Sequence, residues 1–128
     1  MSYSDVFPDL AEVYLEDSWV LAVAADSSGA TFRIDLVLTR RHPCYTAPIA
    51  GEQHCYRTGW LSVVGDTAAD LQLSGAAPTL DPDGTEDLGN IDTFEPQTGD
   101  WWELTGEWGT LRVHQPSVHV DFTSHPRT

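Results

Sequence analysis

The sequence predicts an all-β fold, a single-domain antiparallel β-sandwich or flattened barrel of about seven to eight strands. Three observations carry this expectation. Apolar and polar residues alternate with period two, as where Phe32, Ile34, Leu36 and Leu38 interleave with Thr31, Arg33, Asp35, Val37 and Thr39, which marks a strand with one buried face and one mostly wet face. Clusters of Gly, Pro, Asn and Asp separate these stretches at short intervals, as strand-connecting turns do. The one helical candidate, Asp5 to Tyr14, is short, with Asp9 placed to cap a turn after Pro8.

The elements follow in chain order. Trp19, Leu21 and Val23 alternate with Val20, Ala22 and Ala24, and Asp26-Ser27-Ser28-Gly29 then supplies turn residues. This predicts a hairpin with the strand at Thr31 to Thr39. Residues 40–54 lose the rhythm at Pro43, Pro48 and Gly51, and a loop that long is uncommon in a compact domain unless it is functional or disordered. Strand character returns from Tyr56 to Val64, where Gly59 marks a bulge or a close backbone approach. Ala69 to Leu73 reads as a short strand, and Ser74 to Gly89 as a second long loop, rich in Asp, Gly and Pro. Ile91 to Glu95 and Trp101 to Glu107 flank a turn at Pro96 to Asp100, and Trp108 to His114 follows, with Gly106 and Gly109 permitting a sharp reversal or bend. Ser117 to Phe122 is the last strand. Pairing it with the strand before it would gather Arg112, His114, His119 and Asp121 on one outward face.

The 128 residues suit one domain spanning 1–128, and five Trp, four Tyr and four Phe exclude a disordered chain. No apolar run approaches the length of a membrane span, and Met1 to Leu10 lacks the features of a secretion signal. The expected location is cytoplasmic.

Twenty acidic residues against six basic ones give a formal charge of −14. A surface of that sign repels nucleic-acid phosphates and anionic lipid and attracts basic proteins. The expected partner is therefore a basic protein, with no nucleic acid and no membrane.

Residues able to carry chemistry fall into four groups. His42, Cys44, His54 and Cys55 bracket the first long loop and have the side-chain types that bind zinc, but not the spacing of zinc knuckles. Two reduced thiols, at least one packed as a small hydrophobe, are expected instead. Asp81-Pro-Asp83-Gly84 resembles the middle of a calcium loop, yet aligning Gly84 on the loop's glycine puts Thr79 and Asn90 at its first and last ligand positions, where carboxylates belong. No catalytic motif occurs, and no cofactor-binding motif, so no cofactor is expected. The remaining acid/base set is His114, His119 and Asp121. Finally, adjacent Trp101 and Trp102 must face opposite sides of their strand. With Trp102 inward beside Leu104, Trp101 projects outward as an aromatic anchor. The carboxylates assigned to the partner surface with it are Asp81, Asp83, Glu86, Asp87 and Asp92.

The stretches His42-Pro-Cys-Tyr-Thr-Ala-Pro, Gly51-Glu-Gln-His-Cys-Tyr-Arg, Gly89-Asn-Ile-Asp-Thr-Phe and Trp102-Glu-Leu-Thr-Gly-Glu-Trp-Gly-Thr-Leu-Arg-Val resemble small acidic bacterial proteins, some of which are grouped with the immunity proteins of polymorphic toxin systems. The resemblance covers mainly residues 42–122. It implies a β-rich fold and a protein-binding role, and brings no catalytic residues with it. The leading expectation is thus a noncatalytic acidic domain that binds a basic partner such as a nuclease toxin. The alternative is a metal- or small-molecule-binding β domain that uses the loop at 42–55.

Overall fold

Asp26 starts the fold locally. Its carboxylate accepts the backbone N–H groups of Ser28 (2.8 Å) and Gly29 (3.0 Å), and these hydrogen bonds hold its pKa below the usual carboxylate range. The turn joins β1 (Val13–Ala25) to β2 (Gly29–Leu38), which pair antiparallel as the alternation predicts. In the computed structural model, residues 2–47, 55–73, 79–80 and 86–122 are described.

β3 (Cys55–Val64) pairs with β2 along ten residues without a register break. The second sheet is built from β4 (Asp70–Leu73), β7 (Ile91–Pro96), β8 (Trp101–Gly106) and β9 (Gly109–His114), after the short ribbon of β5 (Thr79–Leu80) and β6 (Glu86–Asp87). The ribbon corrects the expectation of a plain loop from Ser74 to Gly89. β10 (Ser117–Phe122) returns to the first sheet. The strand orders are β1-β2-β3-β10 and β4-β9-β8-β7. These are two antiparallel sheets that do not close, so the fold is a sandwich and not a barrel.

Two sequence expectations fail for identifiable reasons. β9 and β10 do not form a hairpin: β9 pairs with β4 and β8, and β10 pairs with β3. Gln115 takes a left-handed conformation (φ 45°) at the crossing, and Val118 still reaches the shared core from the other sheet. A hairpin between them presumes that sequential strands are neighbours in one sheet, which is a tendency and not a rule. The helix expected from Asp5 to Tyr14 shrinks to one turn, α1 (Tyr3–Val6), and a 3₁₀ turn at Pro8–Leu10. Asp9 does not cap it. Its carboxylate instead accepts the Val120 N–H at 2.9 Å, which blunts the open edge of β10.

The core lies between the sheets. Phe32, Ile34, Leu36, Leu61 and Val63 face Ile91, Phe94, Trp102, Leu104 and Leu111, all buried. Tyr3, Phe7 and Leu10 plug one end, where the Phe7 ring lies 4.9 Å from Trp102 and 5.5 Å from Phe94. Edge-to-face and stacked aromatic contacts of this kind add to the area term. Burial and the hydrogen bond to Glu16 push the Tyr3 hydroxyl well above its usual pKa.

β1 carries the main irregularity. Its register with β2 shifts between Tyr14 and Trp19, and again between Val20 and Ala22. Ser18 bridges the first shift: its buried hydroxyl donates to the Tyr14 carbonyl and accepts the Val37 N–H, each at 3.0 Å. Leu21 is the extra residue of the second, so Val20 is fully buried and Val23 also packs against the core. Trp19 is thereby turned outward.

Candidate functional site

The pairing fixes what the outer face of the first sheet presents, because directly opposed residues share a face. Trp19 lies opposite Asp35, and Trp60 lies opposite Asp121 on one side and Arg33 on the other. Trp19 is 39% exposed and Trp60 37%, large values for the residue type most costly to leave in water. The Arg33 guanidinium stacks over Trp60 at 5.8 Å from the ring centre, a cation–π arrangement. Thr58 donates to Asp35 Oδ1 at 2.5 Å, which orients that carboxylate. Tyr14, 45% exposed, continues the face toward one end.

Trp101 projects from the outer face of the second sheet, as expected, while Trp102 is buried. It is half-buried, with its ring edge-on to His114 at 5.3 Å. His114 Nδ1 lies 2.8 Å from Asp66 Oδ1. That hydrogen bond, with further help from Asp66 and Asp100 charge and a backbone bond to Gly99, raises the His114 pKa. An imidazole engaged by Asp66 and by Gly99 is held as a donor on both sides, which suits a structural tie better than proton abstraction.

The proposed acid/base set is not assembled. His114 belongs to the second sheet, whereas His119 and Asp121 belong to the first. His119 lies 3.7 Å from Asp9.

Of the carboxylates assigned to a surface with Trp101, the described structure separates Asp92 from it. Asp92, exposed, sits next to Ile91, whose partner Gly106 is five residues along β8 from Trp101, on the order of 17 Å away. Glu86 and Asp87 form β6, which packs near β1. Asp81 and Asp83, and with them the calcium-loop alignment, lie outside the described residues.

At the loop from residue 42, both thiols are free, with Cys55 buried. Cys55 Sγ accepts the Thr46 N–H at 3.4 Å, and His42 Nδ1 accepts the Cys44 N–H at 3.0 Å. Burial lowers the His42 pKa against the opposing pull of Glu12. Among the described residues no group of three or more His, Cys, Asp or Glu is placed to hold a metal, and His54 lies outside them. Open clefts of about 340 and 350 Å³ adjoin this segment, one lined by Tyr14, Tyr45 and Cys55, the other by Asp9, Glu12, His42 and Phe122.

No protein-family model, curated protein or solved structure matches this chain. The residues therefore speak for themselves. Among the described ones, arginine approaches carboxylate at Glu12 (Arg41, 3.9 Å) and Glu103 (Arg112, 3.8 Å), while Asp70, Asp92, Glu95 and Asp121 are exposed. No helix is long and apolar enough to cross a membrane.

Trp60 could have been read outward from the sequence, because it alternates with the buried Leu61 and Val63. Trp19 could not. Its facing depends on the two register shifts in β1, which leave no mark in the period-two pattern.

Proposed function

We propose that this chain is a noncatalytic acidic protein-binding domain, of the immunity-protein kind, that docks on a basic partner such as a nuclease toxin in the cytoplasm. The supporting observation is the distribution of charge. Carboxylates face outward from both sheets, and arginines neutralise few of them among the described residues. With a formal charge of −14, such a surface speeds encounter with a positive partner and slows encounter with a negative one.

The test is calorimetric titration against a panel of purified, catalytically inactivated basic nuclease domains at 25 and 300 mM salt. Binding of at least one of them, weakened tenfold or more by the added salt, is the expected result. Affinity indifferent to salt, or confined to neutral and acidic proteins in the control set, would overturn the reading.

A second reading rests on the open clefts beside Cys55 and His42, whose volumes fall at the low end of the range for small-molecule sites. It requires that His42→Ala or Cys55→Ser abolish ligand uptake while leaving the capture of basic proteins intact.

A further inference from the structure

Two tryptophans of the first sheet each sit directly across a strand from an aspartate, Trp19 with Asp35 and Trp60 with Asp121. All four lie on the outward face, three of them exposed and Asp35 half-buried. An indole and a carboxylate at opposed positions on one face can together receive a guanidinium or ammonium group: the ring attracts the cation through its quadrupole, and the carboxylate supplies charge and a hydrogen-bond acceptor. The molecule already uses this chemistry once, since Arg33 lies over the Trp60 ring; a partner cation at this pair therefore displaces Arg33 or uses the ring's other face.

We propose that these two Trp–Asp pairs are the anchor points of the docking surface, each receiving one arginine or lysine side chain of the basic partner; the inference rests on the reading of the chain as a binder of basic proteins. The two sites lie two strands and one two-residue step apart, on the order of 12 Å. A partner must therefore present two basic side chains at about that spacing.

Charge selects the occupant. A second copy of the chain would bring another formal charge of −14 to the face, and nucleic acid is excluded by the same sign. Exposed Trp and Tyr are the residue types enriched at interface hot spots. Trp101 is less suited to this task, because its ring is half-buried and packs against His114.

The experiment is an NMR titration of the full chain with deca-arginine at 20 mM salt, following the five indole N–H signals. It is repeated with Trp19→Ala, Trp60→Ala, Asp121→Asn and Trp101→Ala. The expected result is movement of the Trp19 and Trp60 signals with that of Trp101 still, a tenfold or greater loss of affinity in Trp60→Ala, a smaller loss in Asp121→Asn, and a change under twofold in Trp101→Ala. Peptide binding that moves Trp101 most, or that survives both Trp19→Ala and Trp60→Ala within twofold, overturns this surface while leaving the charge-based reading standing. Absence of any peptide binding overturns both. Cellopentaose shifting the same two indoles while the peptide does not would assign the platform to a neutral sugar, and a fall in native mass from dimer to monomer in Trp60→Ala would assign it to a second copy. Either outcome overturns the proposal. Shift mapping on the unaltered chain keeps the test valid if a variant folds poorly.

Discussion

His114 is held by Asp66 on one side and by the backbone at Gly99 on the other, beneath the ring of Trp101. Its pKa in the folded chain is raised, first by the hydrogen bond to Asp66. A raised value means that folding favours the protonated ring, so this tie stabilises fully below about pH 6.5 and fades as pH rises through the higher folded value. His42 shifts the other way through burial. In an NMR pH titration His114 should therefore titrate above 6.5 and His42 below it, and Asp66→Asn should bring His114 down while leaving His42 in place. An unmoved His114 midpoint in that variant would show that Asp66 is not the source. Ser18 makes a separate residue-scale prediction. Its buried hydroxyl serves two backbone groups, so Ser18→Ala strands the Val37 N–H and should cost about 1–3 kcal/mol in a denaturant titration.

Among the elements, β10 depends on the closeness of its neighbours. A Cβ at Gly59 would lie 2.9 Å from the Asp121 carbonyl and 3.0 Å from the Phe122 ring, so Gly59→Ala should push β10 off β3 and destabilise by about 1–3 kcal/mol. The same close approach was legible in the sequence as a glycine inside a strand pattern. So were the β1–β2 hairpin, whose turn residues bond as their types require, and the β7-β8-β9 meander, whose inward Trp102 and Leu104 obey simple alternation. What escaped the sequence was non-local. The partner of β10 is β3, some fifty residues away in the chain, and alternation states which face is buried but not which strand lies alongside. The outward turn of Trp19 escaped for a related reason: it depends on a bulge stabilised by Ser18, whose hydroxyl looks like any other in the sequence.

At the scale of the whole molecule, a formal charge of −14 on 128 residues works against compactness through self-repulsion. Salt screens that repulsion. The thermal midpoint should rise between 20 and 300 mM sodium chloride by a few degrees, or about 1 kcal/mol, in the same range of salt that weakens capture of a basic partner. Differential scanning calorimetry at the two concentrations checks it, and a midpoint that falls would indicate that attractive ion pairs outweigh the repulsion. The opposed responses of stability and affinity to one variable separate the role of charge in holding the chain together from its role in recruiting a partner.

The crossing at Gln115 has a consequence for how the protein is made. Chains fold as they emerge from the ribosome, N-terminal parts first, and local hairpins form well before distant strands meet. β1, β2 and β3 can assemble early, but the free edge of β3 waits for β10, which is complete only when Phe122 has cleared the exit tunnel. During that interval Gly59, Leu61 and Val63 line a sheet whose edge is still open to any passing strand. A chain held before β10 is complete would carry an adhesive side, so the long separation of β3 from its edge partner weighs on solubility more than on final stability.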